Sequence, residues 1–141
     1  MLVIDEYLAV RVLGGNWPAD LPDDDLALPA SRHWRLLQRI HNPAGGQLSE
    51  LLASLPQSDL SVVRFPHPEI LQILDPRPLL DVAAQIAGRH HAGGLLIAET
   101  LAAGLAHGHQ LWFGLERNIG PTLTTIAGQL DISVHLADRR P

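Results

Sequence analysis

The chain has no cysteine and no lysine, and only 4% of its 141 residues are aromatic. Without cysteine there is no disulfide framework, no thiolate metal site and no cysteine nucleophile, a composition compatible with a reducing cytoplasm. Without lysine, a phosphate-binding P-loop, a Schiff-base mechanism and the lysine of a phosphoacceptor receiver domain are excluded. All 10 basic residues are therefore arginine, set against 15 acids for a net charge of −5. General attraction to nucleic acid is not expected at that balance, and any RNA contact needs a local arginine cluster. No apolar run approaches the roughly 18 to 20 uninterrupted residues of a membrane span. Met1–Glu6 lacks the basic flank of a secretion signal. A soluble, cytoplasmic protein with no membrane contact is the expectation.

What is present is material for a core. Hydrophobic residues make up 46% of the chain, and with so few aromatics that core must be Leu, Ile, Val and Ala, which suits helices packed on a sheet. The length fits one domain, expected over residues 1–136 with 137–141 as a loose tail.

The clearest local signal is Leu95–Phe113. Leu, Ile and Ala dominate Leu95–Ala106, Gly108 stands where a helix C-terminal glycine belongs, and Gln110–Phe113 is a short apolar run. This reads as a buried helix feeding a strand, the repeating step of a parallel α/β sheet. Leu2-Val3-Ile4 reads as a first, central strand with Asp5 at its carboxyl end, where open α/β sheets gather their chemistry. Tyr7–Leu13 reads as a helix stopped by Gly14-Gly15, and Asn16–Asp25, with its prolines and acidic run, as a solvated loop. Ser31 is a candidate cap for a helix over Arg32–Ile40, with Trp34, Leu37 and Ile40 apolar and Arg32, Arg35 and Arg39 on the polar side. Gln47–Leu55 carries a leucine stripe. Leu60–Phe65, rich in β-branched residues and bounded by prolines, is read as the second strand, with at most a turn or two of helix in Glu69–Leu74. Leu79–Ala87 reads as a helix ended by Gly88. Pro121–Gln129 is expected to be a final helix and Ile132–Leu136 a last strand.

This order resembles the PIN-domain family, in particular the VapC-type toxins of bacterial toxin–antitoxin pairs. Met1–Asp5 is similar to the family's opening strand and first acid, Leu60–Leu71 to its second strand and following loop, and Leu95–Phe113 with Leu130–Leu136 to its closing elements. The resemblance implies a PIN-like three-layer α/β sandwich with a central parallel sheet of four or five strands. It implies a metal-dependent endoribonuclease using Mg²⁺ or Mn²⁺ held by carboxylates, which suit these oxygen-seeking ions; a bound water then attacks the phosphodiester. It also implies a small antitoxin as partner, RNA as substrate, and a homodimer.

Mapped onto the resemblance, the acidic set is degenerate. Asp5 matches the first acid and is the leading metal-ligand candidate; Glu6 points the other way in an extended chain and is expected at the surface. The second acid falls near Trp34 or Arg35. The third falls on Gly94, and Glu99, about 140° around the helix from that position, is expected as a partly exposed acid or a ligand on a displaced helix. Glu116 stands near the fourth. The site expected is therefore Asp5 and Glu116 as metal ligands, with Glu99 as a further catalytic candidate. The alternative is a catalytically inactive PIN-like protein-interaction module. Adjacent His90-His91, and His107 with His109 at a helix end, are poor chelating pairs and are expected in loop and cap roles; Trp112 and Phe113 are expected in the core.

Overall fold

Leu2–Ile4 forms strand β1 at the middle of a five-stranded, all-parallel sheet in the computed structural model, which describes residues 1–137. The other strands are β2 (Leu26–Pro29), β3 (Gln72–Leu74), β4 (Gln110–Phe113) and β5 (Ser133–Leu136), in the spatial order β3-β2-β1-β4-β5. β1 pairs with β2 through Leu2↔Leu26 and with β4 through Ile4↔Trp112. Seven helices cover the sheet: α1 (Glu6–Leu13), α2 (Ala30–His41), α3 (Gln47–Ala53), α4 (Gln57–Arg64), α5 (Leu80–His90), α6 (Leu95–Ala106) and α7 (Gly120–Gln129). This is the α/β three-layer sandwich expected, with every residue of β1 buried.

The two faces of β1 divide the core by the two-residue alternation of a strand. Val3 packs with Ala83 and Ile86 of α5, Leu101 of α6 and Leu123 of α7 on one side. Leu2 and Ile4 pack with Leu8, Ala9 and Val12 of α1 on the other. A third cluster joins Val10 of α1 to Leu36, Leu48, Leu52 and Val63 of α2, α3 and α4.

Several expectations are corrected. Leu60–Phe65 is not a strand: Gln57–Arg64 is helical, and it buries Val63 completely while Val62 and Phe65 face outward. Tertiary burial of one face against Leu36, Leu48 and Leu52 overrides the β preference of Val62-Val63. The second strand is Leu26–Pro29, and Gln72–Leu74, placed in a short helical stretch by sequence, is the edge strand beside it. Ser31 lies inside the first turn of α2 rather than capping it, since Pro29 is the capping residue. Gly88 does not end its helix, which runs on to His90 and closes at His91 in the left-handed region, φ 53°. Ala137 is not loose: it is buried, and its N–H donates to the Phe113 carbonyl at 2.8 Å. The rest of the expected tail, 138–141, lies outside the described residues. Among the described residues, no helix is long and apolar enough to cross a membrane.

The strand order fixes where chemistry can sit. The chain moves from β1 to β2 and β3 on one side, then returns through β4 to the other, so the crevice at the carboxyl ends of β1 and β4 is the switch point where open α/β sheets bind ligands. Asp5 follows β1 there, and Gly114 follows β4.

Candidate functional site

Asp5 ends β1 and caps α1, its extended backbone and side chain receiving the N–H of Leu8 at 2.9 Å on Oδ1. The same oxygen takes the Gly114 N–H at 3.0 Å. Oδ2 takes the Leu115 N–H at 3.4 Å and the Asn118 side-chain amide at 3.0 Å. Gly114 permits this approach. A Cβ there would stand 2.7 Å from Tyr7 Cδ1 and 3.1 Å from the Leu8 nitrogen, so only a glycine brings the β4 loop this close to Asp5. The carboxylate is 1% exposed, and burial, reinforced by the charge of Glu6, pushes its pKa from an ordinary 3.8 up to about 6. The Leu8 N–H, Arg32 and Asn118 act in the opposite direction and do not cancel the burial.

Glu6 corrects the sequence expectation of a surface acid. It is 1% exposed because the chain turns into α1 at this residue instead of continuing as a strand. Arg32 Nη1 donates to Glu6 Oε2 at 2.9 Å, with both side chains 1% exposed, and the Asn118 amide donates to Oε1 at 2.8 Å. Arg35 Nε stands 3.8 Å from Oε1. Arg32, expected on the polar side of its helix, is thus a core residue. Its Nε donates to Thr100 Oγ1 at 2.8 Å, and its guanidinium carbon sits 5.3 Å from the centroid of the Phe113 ring. Thr100 in turn donates to the Leu96 carbonyl at 2.7 Å. Both oxygens of Glu6 and the Nε and Nη1 of Arg32 have protein partners, the kind of pairing that lets a buried ion pair be tolerated.

The three carboxylates singled out by sequence occupy three different surroundings. Asp5 lies in the network just described. Glu99 is 1% exposed, not partly exposed, and its Oε1 accepts from the Ser31 N–H at 2.9 Å and the Ser31 hydroxyl at 3.1 Å, so it ties α6 to the start of α2. Glu116 is exposed and borders a separate concavity with Ile119, Gly120, Pro121, Thr124 and Thr125. Asn118, two residues further on, is the side chain from this loop that reaches Asp5 and Glu6. Gly94, where the resemblance placed a third acid, is an exposed, extended residue capping α6.

These donors do not fit a divalent metal. Among the described residues no group of three or more His, Asp or Glu side chains is placed to hold one. Arg32 already pairs with Glu6 inside the protein, and the half-exposed Arg35 stands 3.8 Å from the same carboxylate. A cation entering here would meet a guanidinium on Glu6 and four hydrogen bonds on Asp5.

Of the histidines expected in loop and cap roles, His90 is instead the last helical residue of α5. His91 and His107 close α5 and α6, and His90 Nδ1 is 2.7 Å from Gln129 Oε1. Trp112 and Phe113 are core residues, and Trp112 stacks on His135 with ring centroids 4.4 Å apart. Four residues that organise the site, Glu6, Arg32, Gly114 and Asn118, were not candidates from the sequence. The available signal was the spacing of Arg32, Arg35 and Arg39 along one side of a helix that starts at the carboxyl end of a strand.

No protein-family model matches the chain, and no curated protein matches it in sequence.

Proposed function

We propose that the chain is a PIN-like domain, of the kind found in VapC-type toxins, whose acidic position has become an internal ionic network, and that it acts by binding rather than by hydrolysing RNA. The observation carrying this reading is the Glu6–Arg32 pair at 2.9 Å, closed on both sides by Asn118 and Thr100, beside an Asp5 whose oxygens are taken up by protein donors. A metal-dependent nuclease needs carboxylate oxygens directed at an ion. Here they are directed at N–H groups.

In this reading the partners are proteins, a small antitoxin-type polypeptide and a second copy of the chain. Trp34 of α2, 63% exposed, and Phe65 after α4, 80% exposed, support such contacts, because large aromatic side chains are over-represented in protein interfaces. The test is cleavage of unstructured RNA in Mn²⁺ or Mg²⁺ by wild type and by Asp5→Asn. The reading predicts the same background rate for both. Mn²⁺-dependent cleavage by the wild type that Asp5→Asn loses overturns it in favour of the endoribonuclease.

A further inference from the structure

Beside the closed network the carboxyl end of the sheet opens into a cleft of about 260 Å³ lined by Glu6, Arg35, Arg39, Gly46, Arg117 and Asn118, among others. Glu6 is the sole carboxylate among the described lining residues, and Arg32 already pairs with it at 2.9 Å. Arg35, at 3.8 Å from Glu6, has only a long contact to that shared charge. Arg39 and Arg117 make no ion pair or hydrogen bond among the described residues. The cleft therefore holds an excess of positive charge in a protein whose net charge is −5.

The three guanidinium groups come from two directions. Arg35 and Arg39 are one helical turn apart on α2, an i, i+4 spacing at which like charges repel. Arg117 approaches from the loop after β4, and its Nη1 lies 3.7 Å from where a Cβ on Gly46 would stand. Gly45 and Gly46 both have positive φ, 78° and 88°, so these two residues of the turn between α2 and α3 pass the cleft without a side chain, beside Ala44. Nothing in the fold requires three arginines to face one open volume. An anion relieves their mutual repulsion.

The geometry points to a phosphomonoester as the occupant: we propose that Arg35, Arg39 and Arg117 hold a terminal phosphate in this cleft, with the sugar that carries it in the remaining volume. Guanidinium forks match phosphate oxygens in pairs. A phosphomonoester brings about −1.5 to −2 charges against three arginines, where a carboxylate brings one. The volume lies just under the roughly 300 Å³ lower end of small-molecule sites, enough for a phosphorylated sugar and too small for a large ligand. This site does not depend on the fate of metal chemistry at Asp5, so it is tested with EDTA present.

The experiment is calorimetric titration at low salt with inorganic phosphate, adenosine 5′-monophosphate and adenosine, on wild type, Arg39→Gln and Arg117→Gln. Both substitutions lie on half-exposed or exposed side chains, and thermal unfolding of each variant checks that the fold is kept. Saturable binding of phosphate and tighter binding of the monophosphate are expected, with no binding of adenosine. Each variant weakens both by about tenfold, the effect of losing one charged hydrogen-bonding group. No binding of either phosphate compound to wild type, undiminished binding in both variants, or adenosine binding as tightly as its monophosphate overturns the proposal. A short RNA that binds more tightly with a 5′-phosphate than without one assigns the phosphate to an RNA end. A free nucleotide binding as well as that RNA assigns it to the nucleotide.

Discussion

Two regions meet at the carboxyl edge of the sheet and differ in how their charges are handled. Around Asp5, Glu6, Arg32 and Asn118 the polar groups are buried and joined by hydrogen bonds. Around Arg35, Arg39 and Arg117 they are open, of one sign and largely unmatched. The same helix, α2, supplies both regions: Arg32 faces inward to the network, and Arg35 and Arg39 face the cleft one and two turns later. The closed region is where the resemblance put chemistry, and the open region is where unspent binding potential lies. A buried, fully paired charge holds structure together; an exposed, unpaired set is the one able to gain from a ligand.

That contrast can be broken at several points. The largest effect is expected on removing the inner cation: Arg32→Met leaves Glu6 buried with only the Asn118 amide and a 3.8 Å contact to Arg35, and lowers stability by about 3–5 kcal/mol in urea unfolding. Adding Glu6→Gln to the same chain recovers much of that loss; if the double variant is as unstable as the single, the pair is not the source. Next comes pH. The pKa of folded Asp5, about 6, lies above the 3.8 of an unfolded aspartate, so the folded state holds the proton more strongly. The contribution of Asp5 is fully present below about pH 4 and lost as pH rises through 6, about 3 kcal/mol in all. Wild type compared with Asp5→Asn, in urea midpoints from pH 4 to 7, isolates that slope, which the variant lacks.

Gly114→Ala is smaller, about 1–3 kcal/mol, because the new methyl pushes the β4 loop away from Tyr7 and Leu8. Smaller still is Gly94→Asp. Gly94 has the extended backbone of a helix cap, and nothing lies within 4 Å of an added Cβ. An aspartate there raises thermal stability by about a few tenths of a kcal/mol and, under the proposed function, confers no Mn²⁺ dependence.

How much the sequence revealed followed from how local each cause was. β1, α6 and β4 were legible because uninterrupted apolar runs and Gly108 specify them within their own stretch of chain. Leu26–Pro29 was not: four residues that follow an acidic loop and end in a proline look like a lead-in to α2, and their strand state depends on lying between β1 and β3. Leu60–Phe65 misled for the opposite reason, its valines suggesting a strand while the burial of Val63 against α2 and α3 decided for helix. At the site, Asp5 was readable from its place after β1. The burial of Glu6 and Glu99 was not, because the partners that make it tolerable, Arg32 and Ser31, stand 26 and 68 residues away in the chain.

Under the proposed function, Arg32 and the hydrogen bonds on Asp5 occupy the place a divalent ion would need. Thermal unfolding of wild type across a Mn²⁺ titration tests it most directly, since an ion bound only to the folded state raises the midpoint by mass action. The account predicts the same midpoint with millimolar Mn²⁺ as with EDTA. A saturable rise in wild type that Asp5→Asn abolishes would contradict it.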